Sequence, residues 1–235
     1  MRGAGSTRHF DARLRLRVGA VRFRSLFSSF SYKRFLFPYK AFPNRMTSAD
    51  EFSPFGEQAH AFVQLASEPN AFERTRRDAH FTGSAWLVSS DGQRVLLTHH
   101  RKLDRWLQLG GHADGDTDLA RVALREAEEE SGLPDLAIEG GVFDIDRHLI
   151  PARGEEPAHW HYDVRYVVRA RGSEQFAVSS ESLALAWWPI ADIAADASGV
   201  ARGQSNDSDP HSAHGVVAWD ESLRRMATRW LARAP

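Results

Sequence analysis

Hydrophobic and polar positions follow two periods along this chain, one typical of helices and one typical of strands. Apolar residues recur every three or four positions in some segments and alternate or run continuously in others. Strands and helices are interleaved, so we expect an α/β fold with mixed strand directions. The pattern predicts helices at 54–66, 118–131, 190–194 and 220–232, strands at 80–88, 95–97, 142–150, 160–170 and 184–189, a short apolar stretch at 106–109 that ends at Gly110–Gly111, and a long loop at 198–215.

Composition narrows the class of protein without identifying it. The 235 residues are 42% hydrophobic and 26% charged, which suits one globular domain with appendages. The absence of cysteine excludes a disulfide scaffold, a thiolate zinc site and a cysteine nucleophile. No apolar run approaches the roughly 20 residues that a transmembrane helix needs, so we expect no membrane span.

Charge divides the chain into a basic N-terminal segment and an acidic remainder. Residues 1–45 contain nine arginines and two lysines but one acid, Asp11. This segment suits a transit-type presequence, a basic aromatic arm, or sequence upstream of a true start at Met46. We predict a disordered extension over 1–45 and the folded domain over 46–235. The acidic domain argues against a nucleic-acid-binding surface, because phosphate backbones need a basic footprint.

The predicted helix that follows the glycine pair carries carboxylates on the side that its apolar residues predict to be buried. Each residue of an α-helix advances by roughly 100°, so Glu126 and Glu130 fall within about 20° of Leu119. Glu129 falls at the edge of this apolar stripe, and Glu128 falls on the opposite side. Partly buried carboxylates repel one another and lose hydration, so we expect a compensating cation. Their spacing suits Mg²⁺ or Mn²⁺, and the alternative is a solvated acidic face.

The segment from Gly111 to Leu133 resembles the Nudix box, the pattern G-x5-E-x7-R-E-U-x-E-E-x-G-U in which U is a bulky aliphatic residue. Ala127 is a small substitute for U, and Thr117 replaces the first Glu of the pattern. The box covers a tenth of the chain, and the predicted strand order is compatible with the family fold from about residue 75 to 195. The matching positions are Gly111, Arg125, Glu126, Glu129, Glu130, Gly132 and Leu133.

This resemblance implies a Nudix-type α/β/α sandwich with a mixed β-sheet and a loop–helix–loop catalytic motif. It implies metal binding by Glu126, Glu129, Glu130 and the carbonyl of Gly111. The catalytic residues that it implies are Glu129, Glu126 and Arg125, with the arginine orienting Glu126 through a charge-assisted hydrogen bond.

The resemblance also implies a reaction, the metal-dependent hydrolysis of a diphosphate. Mg²⁺ or Mn²⁺ would neutralise the polyanion and lower the pKa of a water, whose proton a carboxylate would accept. In the family the first Glu commonly partners the arginine, and here Asp116 or Asp118 is expected to replace it beside Arg125. The candidates for the general base are Glu126, Glu129, Glu155, Glu156 and Glu181.

Polar residues also share one face of the strand predicted at 160–170. Alternation along that strand places His159, His161, Asp163 and Arg165 together. An exposed sheet face is one interpretation, and a separate zinc site of His159, His161 and Asp163 is another. We predict instead that they line the substrate cleft, with His112 beside the implied metals. The predicted substrate-binding residues are His112, His159, His161 and Arg165.

The sequence favours a hydrolase that cleaves the diphosphate bond of a nucleoside diphosphate linked to another group. The alternative, from a different class, is a Nudix domain that senses a nucleotide without hydrolysing it. We expect a small-molecule nucleotide substrate and no stable nucleic-acid partner, and we leave a homodimer open. We expect a cytoplasmic location unless residues 1–45 direct the protein to an organelle.

Overall fold

The computed structural model describes residues 51–180, 182–196, 201–202, 216–217 and 219–233. The predicted extension at 1–45 and most of the loop predicted at 198–215 lie outside the described residues. The helices are α1 (Glu57–Ala66), α2 (Leu119–Ser131), α3 (Ile190–Ala195) and α4 (Glu221–Leu231), with a 3₁₀ turn at Ser53–Phe55 before α1. The strands are β1 (Ala79–Val88), β2 (Arg94–His100), β3 (Arg105–Leu107), β4 (Leu109–His112), β5 (Leu136–Ile150), β6 (His159–Ala170), β7 (Ser182–Pro189), β8 (Ala201–Arg202) and β9 (Val216–Val217).

Seven of these strands form one mixed sheet. The central strand β1 is parallel to β6 and antiparallel to β4 and to the start of β2. Strand β5 is antiparallel to β6, while β3 and β7 are both antiparallel to β2. Strands β8 and β9 form a separate antiparallel pair. The predicted combination of parallel and antiparallel strands is therefore confirmed.

Helices cover both faces of the sheet and bury two separate apolar clusters. Helices α1 and α2 contribute Phe62 and Val122 to the cluster on one face. Helices α3 and α4 contribute Ile193 and Met226 to the cluster on the other. Each such side chain contributes roughly 1.5–3 kcal/mol when it is fully buried, so both faces stabilise the sheet. The predicted α/β/α sandwich is confirmed. Within the described part of the chain, no helix is long and apolar enough to cross a membrane.

Helix α2 is held at both ends and along its length by residues whose chemistry suits those positions. Asp118 caps its start, because the carboxylate accepts a hydrogen bond from the Arg121 amide at 3.1 Å. Gly132 ends it with φ at 66°, a left-handed conformation that glycine adopts without strain. A Cβ at Gly83 on β1 would lie 2.8 Å from the Leu119 carbonyl oxygen, so the helix packs directly on the strand.

Two strands extend beyond the predicted limits. Strand β4 continues through Gly110 and Gly111, which pair with Ser84 and Gly83 of β1. Strand β5 starts at Leu136 rather than Val142, with an irregularity near Gly140, where φ is 75°. In both places main-chain pairing with a neighbouring strand continues the sheet through glycines, which have no side chains to form an apolar pattern.

Candidate active site

Two α2 carboxylates face the glycine pair of β4. A Cβ at Gly111 would lie 2.5 Å from Oε2 of Glu126, so this carboxylate occupies the space beside the Gly111 backbone. Glu130 Oε1 accepts a hydrogen bond from the Gly110 amide at 2.9 Å. Both glutamates are half-buried. The structure thus confirms that the carboxylates of Glu126 and Glu130 lie on the inward side of the helix.

Arg125 connects the helix to the strand that it packs on. Its Nη2 donates to Oε1 of Glu126 at 2.9 Å and to the carbonyl oxygen of His112 at 3.2 Å. The expectation that Asp116 or Asp118 replaces the family's first Glu beside Arg125 is wrong. Asp116 pairs with Arg121 instead, and Asp118 is occupied as the helix cap. The carbonyl oxygen of His112 on β4 orients the Arg125 side chain.

The oxygen atoms assembled here fit a hard divalent cation. The carboxylates of Glu126 and Glu130 lie beside a glycine backbone that lets other atoms approach closely. Glu129 is exposed beside Glu130 on the same helix, and Glu128 is exposed as well. Such a set of oxygen ligands suits Mg²⁺ or Mn²⁺ better than a softer metal.

Histidines gather on the opposite face of the sheet. The Gly111 position faces α2, so alternation turns the His112 side chain to the other face. There it contacts His80 and His161, which both contact His159, with ring centroids 4.8–5.1 Å apart for the contacting pairs. The three predicted histidines, His112, His159 and His161, therefore lie together on the sheet face away from α2. Their substrate-binding role stays a prediction.

Burial lowers the pKa of three histidines in this group. Burial, reinforced by the neighbouring histidines, lowers the pKa of His161 to about 2. Burial and the charge of Arg74 lower the pKa of His112 to about 4. Burial also lowers the pKa of His80. A lowered pKa favours the neutral ring, in which one nitrogen carries a lone pair.

The substrate-binding role predicted for Arg165 does not fit its position. Its side chain is only 2% exposed. Its Nε lies 2.7 Å from Oδ2 of Asp163, and its Nη1 lies 3.2 Å from Oδ2 of Asp144. Asp163 also accepts hydrogen bonds from the hydroxyls of Thr82 and Ser84. These polar groups satisfy one another inside the protein, which favours structural roles for Arg165 and Asp163 over a zinc site that includes Asp163.

The two base candidates outside the helix lie near the histidines. Glu155 and Glu156 line a cavity of about 360 Å³ together with His80 and His159. Three arginines, Arg74, Arg76 and Arg77, complete much of its wall. The remaining candidate, Glu181, lies outside the described residues.

Sequence reasoning did not find His80 and His148 as members of this polar face. Parallel pairing places His80 opposite His161, and antiparallel pairing places His148 opposite His161 on the other side. Each histidine lies in a segment predicted to be a strand, but nothing in the sequence shows which strands are neighbours. Strand register was the missing information.

Comparison of the sequence with models of protein families shows which family this chain belongs to. The model of the NUDIX domain matches residues 80–206, more than half of the chain and the whole glycine–helix unit. The chain belongs to the Nudix family. As a Nudix hydrolase it acts on pyrophosphate bonds, and Nudix hydrolases generally use a divalent metal.

Solved structures of other Nudix hydrolases resemble the chain at low sequence identity. An Ap4A hydrolase of C. elegans is 15% identical over 65% of this chain and 95% of its own, with a TM-score of 0.45. A NUDIX family hydrolase of Clostridium perfringens is 22% identical over 65% and 95%, with a TM-score of 0.43. A MutT protein of Methanosarcina mazei is 15% identical over 66% and 94%, also at 0.43. No curated protein matches the sequence.

Proposed function

We propose that this Nudix hydrolase cleaves the diphosphate bond of a nucleoside diphosphate linked to another group, with Mg²⁺ or Mn²⁺ as its cofactor. The observation that supports this most is the position of the Glu126 and Glu130 carboxylates against the glycine pair of β4. Two half-buried carboxylates held against the same short stretch of backbone repel each other, and a divalent cation bound between them would stabilise both.

The residues of the site have separate roles in metal binding and in proton transfer. Glu126, Glu129 and Glu130 would hold the cation with the Gly111 carbonyl oxygen. The bound cation would supply positive charge that neutralises the diphosphate and acidifies the attacking water. Arg125 keeps the Glu126 carboxylate turned toward Gly111. We assign the general base to Glu129, because its carboxylate is exposed to solvent and can pass the proton on.

A panel of nucleotides tests the proposal, with ADP-ribose, sugar nucleotides and dinucleoside polyphosphates as substrates and release of phosphate products as the readout. With Mg²⁺, the wild-type protein should hydrolyse at least one of them, and a chelator should abolish the activity. Glu129→Gln and Glu130→Gln should lower kcat by about 10²–10⁴-fold, the usual contribution of a positioned acid–base group.

Glu128→Gln is the matched control, because Glu128 lies on the same helix but is exposed on its outer side. It should retain activity within a factor of two or so of the wild type, since nothing places it in the site. Equal activity in the wild type and in both site variants would reject the assignment. Nucleotide binding without any turnover by the wild type would favour a nucleotide sensor instead.

A further inference from the structure

Five histidines form one continuous group on the sheet face away from α2. His148, His161 and His80 lie side by side on β5, β6 and β1, because His161 is the register partner of both others. His112 on β4 lies opposite Thr82, two residues after His80, and His159 on β6 lies two residues before His161. Four different strands therefore bring imidazoles to one place, and none of these residues lies on α2.

Three of these imidazoles are close enough to share one ion. A ring nitrogen of His80, one of His112 and one of His161 all lie within 4.8 Å of one another. Some point then lies within about 2.8 Å of all three, compared with a Zn–N bond of about 2.0–2.1 Å. Ring movements of less than about 1 Å would bring each nitrogen to bonding distance.

His80 is already in the tautomer that a metal ligand needs. Its Nδ1 lies 2.9 Å from the carbonyl oxygen of Arg76, which only accepts, so Nδ1 carries the proton. The lone pair is then on Nε2, which is buried and has no hydrogen-bond partner among the residues that the structure describes. Histidine ligands commonly donate their second nitrogen to a backbone carbonyl in this way, and an unsatisfied buried nitrogen is unfavourable without a ligand.

His159, beside His161, has a backbone hydrogen bond like that of His80. Its Nδ1 lies 2.9 Å from the carbonyl oxygen of Pro157, and its Nε2 lies 3.2 Å from Nε2 of His161. Two nitrogens bound to one tetrahedral zinc ion lie about 3.3 Å apart. The same distance also suits a hydrogen bond between two neutral rings. A metal titration distinguishes the two arrangements.

We propose that His80, His112 and His161 bind a borderline-soft divalent metal ion of the zinc class, with His159 as the neighbouring fourth imidazole. Nitrogen ligands without a carboxylate select Zn²⁺, Co²⁺, Ni²⁺ or Cu²⁺ over Mg²⁺, so this site is chemically distinct from the carboxylates of α2. The ion would join β1, β4 and β6. The cavity of about 360 Å³ that His80 and His159 line provides a route from solvent.

Metal titration of the full-length protein tests this site. The protein is purified without a polyhistidine tag, stripped with a chelator and titrated with Zn²⁺ by calorimetry and with Co²⁺ by visible absorption. We expect one equivalent to bind at the histidines, to raise the melting temperature, and to remain bound in millimolar Mg²⁺. Failure of both ions to bind at stoichiometric ratio would overturn the proposal.

Matched variants locate the bound ion. His112→Gln and His161→Gln should weaken Zn²⁺ binding by at least roughly 100-fold, because each removes one of three ligands. His60→Gln, an exposed histidine on α1, and Glu129→Gln on α2 should leave it unchanged. Unchanged affinity in His112→Gln and His161→Gln, or loss in Glu129→Gln, would overturn the assignment.

X-ray absorption on the zinc-loaded wild type keeps the test valid if a histidine variant fails to fold. We expect three or four nitrogen neighbours at about 2.0–2.1 Å with the scattering pattern of imidazole. A shell made of oxygen neighbours would show that zinc binds the carboxylates instead and would overturn the proposal. This outcome is independent of the proposed hydrolysis, because it measures neither substrate nor turnover.

Discussion

Position 111 is occupied by a residue without a side chain because a carboxylate fills the space that a Cβ would need. The distances from that Cβ would be 2.5 Å to Oε2 and 2.6 Å to Cδ of Glu126. Both are too short for any real contact, and Glu126 is itself held by Arg125 at 2.9 Å. A larger residue at 111 would therefore have to displace the proposed metal-binding group.

Gly111→Ala should lower kcat/KM by about 100-fold, the usual cost of moving a reacting group by about 1 Å. The fold should survive, because the added methyl group meets a side chain that can rotate away. Steady-state kinetics with Mg²⁺ on the best substrate of the panel measures this. Gly141→Ala is the control, since a Cβ there meets no atom within 4 Å. Full activity in Gly111→Ala would show that the Glu126 carboxylate need not lie against this backbone.

Residues whose environment is set within one helix were predictable, and residues that depend on strand pairing were not. The inward position of Glu126 and Glu130 follows from helical phase, which needs only the local sequence. The cluster around His80 and His161 depends on the parallel pairing of β1 with β6, which joins segments about 80 residues apart. The partner of Arg125 was also missed, because a backbone carbonyl leaves no signature in the sequence.

At the scale of elements, α2 was the most predictable part of the fold because its ends carry their own signals. Asp118 at its start and Gly132 after its end are residue types that favour those two positions, and the helix spans nearly the predicted range 118–131. Strand β4 has no comparable signal, since half of its residues are glycines. Its course through Gly110 and Gly111 is determined by the hydrogen-bonding edge of β1, a tertiary effect.

Removal of the α2 cap provides a test at this scale. Asp118→Ala should lower the free energy of unfolding by about 1 kcal/mol, because the Arg121 amide loses its acceptor. Asp118→Asn should retain most of that stability, since an asparagine side chain caps equally well. Urea denaturation monitored by circular dichroism measures both. A loss of similar size in the two variants would mean that the charge of Asp118, not its capping bond, stabilises the helix.

At the scale of the whole molecule, a buried charge network attaches the C-terminal helix to the sheet. Helix α4 lies beyond the region 80–206 that the family model matches. Asp144 on β5 pairs with Arg225 at 2.7 Å and with Arg229 at 2.6 Å, both on α4. Arg165 on β6 pairs with the same aspartate from within the sheet. Asp144 therefore joins the Nudix core to an element outside it.

The contribution of this network can be measured by removing its central cation. Arg165→Met should destabilise the protein by about 3–5 kcal/mol, because the buried Asp163 carboxylate would lose the guanidinium that lies 2.7 Å away. Arg171→Met, at an exposed position just beyond β6, should change stability by less than about 0.5 kcal/mol. Denaturant unfolding of both variants, with the release of α4 followed by limited proteolysis, tests this. Removal of one partner from a buried ion pair is costly, whereas replacement of both charges by apolar groups is often neutral. Stability equal to the wild type in Arg165→Met would therefore mean that apolar packing of α4 on the sheet suffices.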